Sequence, residues 1–190
     1  VRALVPDAAA SLEAIPYAPV MVVASAYRRS DVGHPLDGFG FLAPAREQPR
    51  VLGSLFSSTM FEHRAPSDTV VFTSFLGGRR NPALAAASDE GLLQAVRYEL
   101  ERLVAARGTP LFNEITRWPR AIPQYTIGHL QRIAQIERAE QELPGLTFCA
   151  NYRGGVSISD CITNGEAMAR TVSQSLAGAC AKPTRGAGLA

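Results

Sequence analysis

Three mainly apolar runs, the first of them with several β-branched residues, constrain the fold of this chain most strongly. They are residues 18–27, 50–57 and 69–76. Such residues fit the pleated surface of a sheet, and the connections between the runs favour strands that meander antiparallel. The aromatic segment 38–43 is interpreted as a further strand. The sequence therefore predicts a largely antiparallel sheet in the first part of the chain.

The hydrophobic period changes to that of a helix after Ser88. Leucine and valine side chains then recur on one face, Asp89 and Glu90 lie in the first turn, and Arg107 and Gly108 close the pattern. We expect this helix to cover the sheet. A strand is predicted over residues 112–116, and residues 117–125 are interpreted as a connector that is stiffened by prolines.

The last part of the chain predicts a helix, one strand and a second helix. The first helix covers residues 128–143, and the strand begins at Leu146. A single strand is not a stable sheet, so it must complete a sheet supplied from elsewhere. The first five residues resemble the tail of a strand and lack an initiator methionine. We therefore expect the chain to be a fragment or an excised domain.

Two adjacent glycines, Gly154 and Gly155, connect the predicted strand to the last helix. Glycine lets a flat ligand approach the backbone, and a helix N-terminus offers unpaired N–H groups with partial positive charge. A plain connection between strand and helix is the other interpretation, and the residues alone leave both open. Ser159 or Asp160 is expected to cap the helix. Its buried stripe is predicted to be Cys161, Gly165, Met168, Val172 and Leu176.

Composition and charge exclude several classes of function. The net charge of +2 is too small to favour nucleic acid as a partner. The three cysteines and three histidines lack the paired spacing of metal ligands, so no metal site is expected. An odd number of cysteines favours a reducing compartment, which predicts a cytoplasmic location. No apolar run approaches the roughly 20 residues of a membrane-spanning helix.

Residues 38–43 also spell G-x-G-x-x-A, the pattern of a dinucleotide-binding loop. Such a loop needs a strand directly before it and a helix directly after it. Here His34 and Pro35 lie before the pattern and Pro44 follows it. We therefore reject a dinucleotide site at this position and retain the interpretation as an aromatic strand.

Several stretches are distinctive when they are taken together. They are residues 38–44 (GFGFLAP), 52–58 (LGSLFSS), 117–119 (RWP), 121–125 (AIPQY), 128–129 (GH) and 151–162 (NYRGGVSISDCI). In this order they resemble the C-terminal half of the FAD-dependent protoporphyrinogen oxidase family. The resemblance covers nearly the whole chain, and its IPQY and GVxxxDCI parts are specific. Ala150 departs from the pattern, because relatives often carry glycine there.

The resemblance implies a haem-biosynthesis oxidase that removes hydrogens from a porphyrinogen, with FAD as cofactor and oxygen as electron acceptor. Some relatives act on coproporphyrinogen III instead. The implied fold class is α/β (α+β). It combines a largely antiparallel substrate-domain sheet, with its covering helix, and the C-terminal helix-strand-helix of a Rossmann-like FAD domain. The implied partner is the missing N-terminal half with its pyrophosphate loop, and peripheral contact with the inner membrane through other segments stays open.

By position, the resemblance divides the chain into four segments. Residues 1–17 are the tail of an FAD-domain segment, 18–118 the substrate-binding sheet domain, 119–177 a return into the FAD domain, and 178–190 a flexible tail. Trp118 is expected beside the flavin. The cofactor-binding segment near the isoalloxazine ring is Gly154, Gly155, Val156, Ser157 and Ile158. Charge arriving at the flavin would be stabilised there by the helix N-terminus.

The resemblance supplies no evident general acid or base, so no catalytic residue is assigned. Three aromatic residues are candidates for lining the porphyrinogen cavity: Phe39, Phe41 and Phe56. Core packing is an equal alternative for each.

Two other functions stay open. One is a different flavin amine oxidase, such as a desaturase, although the WPxxIPQY run argues against it. The other is a non-catalytic module that binds a tetrapyrrole or a protein. A strand followed by G-x-G-x-x-G far upstream of this segment would favour the oxidase.

Overall fold

The computed structural model describes residues 1–180, and these divide into two compact units. The sheet unit is Tyr17–Ile122, and the helical unit combines Val1–Pro16 with the described residues from Pro123 onward. The helices are α1 (Pro6–Glu13), α2 (Ser57–Met60), α3 (Asp89–Val104), α4 (His129–Glu142) and α5 (Ile158–Cys180). The strands are β1 (Tyr17–Arg28), β2 (Gly40–Leu42), β3 (Gly53–Phe56), β4 (Thr69–Gly77) and β5 (Phe112–Pro123).

The predicted, largely antiparallel sheet is confirmed, but it is not a simple meander, because β1 lies between β4 and β5 rather than next to β2. Its five strands lie in the order β2-β3-β4-β1-β5, and the pairs β2/β3, β3/β4 and β1/β4 are antiparallel. In this register Ser25 lies opposite Phe72, and Ser54 lies opposite Ser74. The mixed α/β architecture that the sequence predicts is therefore the observed one.

Helix α3 covers one face of this sheet, as predicted. Along β4 the buried residues alternate with half-buried ones, so Phe72 and Leu76 face the core. Leu92, Val96 and Leu100 of α3 belong to the same buried cluster. Each such side chain contributes about 1.5–3 kcal/mol when it is removed from water. The opposite face of the central strands carries half-buried residues.

Local sequence sets the limits of α3. The Ser88 hydroxyl accepts a hydrogen bond from the Gly91 N–H group (3.2 Å), which satisfies one donor of the first turn. At the other end Ala105 adopts a left-handed conformation, and its N–H group bonds to the Leu100 carbonyl. The helix therefore ends at Val104, before the predicted closure at Arg107 and Gly108.

Strand β5 is longer than predicted. It continues through Pro123, so the prediction of a connector over residues 117–125 is wrong for most of that range. Proline has no N–H group for a sheet ladder and is tolerated where a strand lies at an edge. β5 is an edge strand, which explains how it accommodates Pro119 and Pro123.

The helical unit contains α1, α4 and α5. The prediction of a helix over 128–143 is confirmed, whereas residues 146–150 form no strand and the first residues form turns rather than the tail of a strand. A strand needs a neighbouring strand to pair with, and these residues pair with no strand in the part of the chain described here. Helix α1 packs on α4, where the Ser11 hydroxyl donates to Gln135 (2.5 Å).

The expected buried stripe of α5 is found only in part. Gly165 and Met168 are half-buried, whereas Cys161 and Val172 are exposed and Leu176 is 66% exposed. The helix runs through Cys180, past the start of the predicted tail at residue 178, and residues 181–190 of that prediction lie outside the described range. None of the described helices is long and apolar enough to cross a membrane.

Candidate functional site

The first turn of α5 is fixed by a reciprocal pair of side-chain hydrogen bonds. The Asp160 N–H group donates to the Ser157 hydroxyl oxygen (3.0 Å), and the Ser157 N–H group donates to the Asp160 carboxylate (3.2 Å). The hydroxyl of Ser157 also donates to that carboxylate (2.7 Å). This is a capping box, in which two unpaired backbone donors are satisfied at once. Asp160 takes part in the cap as expected, but the capping residue is Ser157 and not Ser159.

The capping box predicts a difference between two neighbouring serines. Ser157→Ala is expected to lower the free energy of unfolding by about 1 kcal/mol, because the Asp160 N–H group then loses its acceptor. Ser159→Ala is the matched control, since Ser159 is exposed on the same turn and makes no side-chain hydrogen bond in the described structure. Urea unfolding followed by circular dichroism measures both. Equal losses for the two variants would contradict the capping role.

The two glycines before α5 are required by contacts within the chain. Gly154 and Gly155 have positive φ angles of 78° and 125°. A Cβ atom at position 154 would lie 2.7 Å from the Asn164 side-chain nitrogen, and one at position 155 would collide with the Asp160 carboxyl group. The loop therefore approaches side chains of α5 as closely as its backbone allows.

Backbone donors remain available at this turn. The N–H groups of Ile158 and Ser159, the first two residues of α5, have no acceptor among the described residues. The side chains of Val156 and Ile158 are exposed beside them. Two unpaired donors and the positive end of a 23-residue helix suit an anionic or electron-rich ligand atom. The residues present thus fit the electron-rich edge of a flavin ring.

An ion-pair network holds the loop against α4. Arg153 donates to Glu140 (2.8 Å) and to Glu137 (3.0 Å), and the other Glu140 oxygen accepts from the Phe148 N–H group (2.7 Å). Burial of the guanidinium acts against its charged form. The hydrogen bond from Arg153 to Glu140 and the charges of both glutamates outweigh burial, so the pKa of Arg153 is raised. The network anchors the residues just before Gly154.

Trp118 belongs to the sheet unit, whereas the 154–158 segment belongs to the helical unit. Trp118 lies on β5 and is 55% exposed. Its neighbours on the strand are engaged: Arg117 donates to Asp89 (2.5 Å), and Arg120 lies 5.1 Å from the centre of the Tyr17 ring. Trp118 therefore lies between two strand residues that make side-chain contacts, and its own side chain is largely in solvent. Its place beside a flavin stays a prediction.

The three phenylalanine candidates lie in different environments. Phe39 is 78% exposed, Phe41 is half-buried, and Phe56 is 3% exposed within the core cluster. Phe41 and Phe56 line one cavity of about 480 Å³, which also contacts Arg102. The Phe56 ring packs edge-on against Phe72 with centroids 5.7 Å apart. Substrate contact stays a prediction for all three residues.

The sequence did not single out the residues on the sheet face that α3 leaves uncovered. The register places Leu55, Thr73 and Ala24 in one row across β3, β4 and β1, and Gly53, Phe75 and Val22 in the next. All but Gly53 are half-buried. The alternation of strand residues was the available signal, but it does not indicate which face a helix covers.

No group of three or more histidine, cysteine, aspartate or glutamate side chains suited to a metal ion occurs among the described residues.

Comparison with known proteins gives consistent similarities. The family model described as flavin containing amine oxidoreductase matches residues 2–173. The chain is 38% identical over 154 residues to the mitochondrial protoporphyrinogen oxidase of Nicotiana tabacum, covering 80% of the chain and 31% of that protein. It is 33% identical over 189 residues to coproporphyrinogen III oxidase of Propionibacterium freudenreichii, covering 98% of the chain and 35% of that protein.

Two solved structures are also similar to this chain. A structure assigned as a protoporphyrinogen oxidase from Exiguobacterium sp. 255-15 matches 91% of the chain and 38% of its own length, with a TM-score of 0.77 and 27% identity. Reduced UDP-galactopyranose mutase matches with a TM-score of 0.62 at 10% identity, which indicates a shared fold alone. The chain spans about a third of the length of the curated relatives named above.

Proposed function

Because the chain belongs to the flavin-containing amine oxidoreductase family, we propose that it is part of an FAD-dependent oxidase of haem biosynthesis. This oxidase dehydrogenates a porphyrinogen to a porphyrin and passes the electrons to molecular oxygen. The observation that carries the proposal is that relatives named for porphyrinogen oxidation align with 80% and 98% of the chain. Relatives named for protoporphyrinogen and for coproporphyrinogen III both match, so both substrates are retained.

The start of α5 is the part of the chain that we assign to the flavin ring. FAD, when bound, supplies the hydride acceptor of the reaction. The N–H groups of Ile158 and Ser159 would bind its electron-rich edge, and the helix dipole would stabilise negative charge there. Neither contribution uses a side chain, so the role does not depend on the identities of residues 156–158.

Gly154 and Gly155 serve the same site through their backbone conformation. Their positive φ angles and their close contacts with Asn164 and Asp160 set the path by which the loop enters α5. A side chain at position 155 would displace Asp160 of the capping box, and one at position 154 would displace the Asn164 side chain. We infer that these glycines preserve the donor geometry in addition to leaving space for a ligand.

For the substrate we propose the face of the sheet that α3 does not cover. It presents half-buried apolar residues, among them Leu55, Phe75 and Val22, as a large, mainly apolar macrocycle would require. Phe41 and Phe56 point to the covered side, because Phe41 pairs with the buried Ser54 and Phe56 with Phe72. A direct contact of these two with substrate would be made in the cavity that they share.

The remaining parts of the enzyme are proposed to lie outside this chain. Since the chain spans about a third of its relatives, we expect the pyrophosphate loop and further FAD contacts to come from another segment of the same enzyme. Peripheral membrane contact, where it occurs, would be made by such segments. A cytoplasmic location stays a prediction.

The test uses the flavoenzyme that contains this chain. Trp118→Ala is expected to lower the flavin retained after purification several-fold and to leave the unfolding midpoint nearly unchanged, because the side chain is 55% exposed. Phe112→Ala is the matched control, since Phe112 lies on the same strand and is also 55% exposed. Absorbance of the bound flavin and thermal unfolding measure the two effects.

Two results would contradict the proposal at different levels. Unchanged flavin content in Trp118→Ala would exclude this tryptophan from the site. Lack of porphyrinogen-dependent oxygen consumption by the flavin-loaded enzyme, with both porphyrinogens supplied, would overturn the proposed activity itself.

A further inference from the structure

His129 is a buried histidine with one hydrogen bond from its ring. It is the first residue of α4, it is 7% exposed, and its Nε2 atom lies 2.8 Å from the Tyr152 carbonyl oxygen. A carbonyl oxygen only accepts, so Nε2 must carry the hydrogen and donate it. The Nδ1 atom is buried and has no hydrogen-bond partner among the described residues. The hydrogen on Nε2 therefore holds the Tyr152 carbonyl group.

Packing alone does not explain a histidine at this position. An apolar side chain of similar size would fill the space without leaving a buried nitrogen unsatisfied, which is unfavourable. What the imidazole adds is the donor to Tyr152. His129 therefore acts on the loop that contains that carbonyl group.

Tyr125 supports the same loop. Its ring stacks on the His129 ring with centroids 4.4 Å apart and an interplanar angle of 19°. Its hydroxyl donates to the Asn151 carbonyl oxygen (3.0 Å). The stacked pair thus presents two donors, side by side, to two consecutive carbonyl groups.

A third donor continues the row. The Asn164 side-chain nitrogen, on α5, donates to the Arg153 carbonyl oxygen (3.2 Å). The carbonyl groups of Asn151, Tyr152 and Arg153 are therefore each held by one side chain. The described chain contains no cis peptide bond, and in a trans peptide the N–H group points opposite to the carbonyl group. Holding the Arg153 carbonyl at Asn164 therefore turns the Gly154 N–H group away from that contact.

We propose that His129, with Tyr125 stacked on it, is a positioning residue for the flavin-binding loop. The pair fixes the peptide groups of residues 151–153, and this fixes the point from which Gly154 and Gly155 enter α5. The loop geometry is independent of any cofactor. The consequence for the flavin rests on the proposed function.

The experiment compares two amide substitutions in the enzyme that contains this chain. His129→Gln places an amide donor near the position of Nε2 and is expected to keep the bond to Tyr152. His129→Asn is one methylene shorter, so its amide corresponds to Nδ1 and does not reach the carbonyl. Hydrogen exchange of the flavin-free protein is expected to rise at least tenfold at residues 152–159 in His129→Asn and to stay within about twofold in His129→Gln.

Flavin binding gives the second measurement. His129→Asn is expected to lose at least fivefold in retained flavin and to shift the flavin absorption band, and His129→Gln is expected to restore both. Tyr125→Phe keeps the stacked ring but lacks the hydroxyl, so faster exchange is expected at residues 151–153 with a smaller loss of flavin.

Ile136→Val controls for general destabilisation. Ile136 is fully buried on the same helix and makes no side-chain hydrogen bond. If Ile136→Val raises exchange at 152–159 as much as His129→Asn does, at an equal loss of unfolding midpoint, the positioning role is overturned. Normal exchange and flavin content in His129→Asn would overturn it too. A wild-type enzyme that binds no flavin would overturn the proposed function instead, and the exchange data would still decide the role of His129 in the loop.

Discussion

Replacing Gly155 with alanine is expected to lower the free energy of unfolding by about 2–4 kcal/mol, combining backbone strain with a weakened helix cap. The φ angle of 125° is one that residues with a side chain rarely adopt. The new methyl group would also meet the Asp160 carboxyl group, which completes the capping box with Ser157. The substitution therefore disturbs the loop and the first turn of α5 together.

Gly165→Ala is the control for this prediction. Gly165 lies inside α5, and a Cβ atom there meets nothing within 4 Å. Alanine at that position is expected to stabilise the helix by up to about 1 kcal/mol. Urea unfolding followed by circular dichroism at 222 nm compares the two variants. Effects of the same sign and size would mean that the strain at Gly155 is absent.

Replacing Phe56 with alanine is expected to cost about 3–5 kcal/mol, the range for truncation of a buried aromatic residue. The Phe56 ring contacts the rings of Phe72, His34 and Phe41, with centroid distances of 5.7, 5.7 and 6.4 Å. Its loss leaves a void at the centre of these contacts. The expected result is a sheet unit that unfolds at markedly lower denaturant concentration.

Phe39→Ala is the matched comparison, because Phe39 is 78% exposed and its truncation is expected to change stability by less than about 0.5 kcal/mol. Fluorescence of Trp118, the single tryptophan, follows unfolding of the sheet unit. A Phe56→Ala variant that loses less than 1 kcal/mol but raises the KM for porphyrinogen would instead favour the substrate role that the sequence suggested.

The elements that the sequence predicted best are those whose periodicity and caps agree. β1 is a long, mainly apolar run, β4 and α3 each carry a regular pattern, and Ser88 marks the start of the helix. The strand predicted at 146–150 failed because strand formation depends on a partner, which periodicity does not supply. The extension of β5 was missed because proline is acceptable only at an edge, and edges are set by topology.

In the candidate site, too, the local sequence predicted some features and the fold determined the others. Gly154, Gly155 and the helix behind them were visible as a local pattern. The side chains that hold the loop could not be recognised from the local sequence, because Tyr125 and His129 lie 26 and 23 residues from the carbonyl groups that they bind. Only the fold brings these donors together. Of the two predicted capping residues, Asp160 takes part in the cap and Ser159 does not, since Ser157 and Ser159 are equally suitable until the first helical residue is known.

The discontinuous helical unit has a consequence for the order in which the protein folds on the ribosome. Ser11 meets Gln135 across 124 residues of chain, and closing so long a flexible loop would cost about 4 kcal/mol of entropy. The intervening residues are, however, a contiguous domain insertion with its own core. Its two ends emerge together, because the Gln124 N–H group donates to the Pro16 carbonyl (2.8 Å). Once the insertion has folded, its two ends lie close together, so α1 is already near the residues that lead into α4. Folding of the insertion has then already offset most of the entropy cost of closing the loop between Ser11 and Gln135.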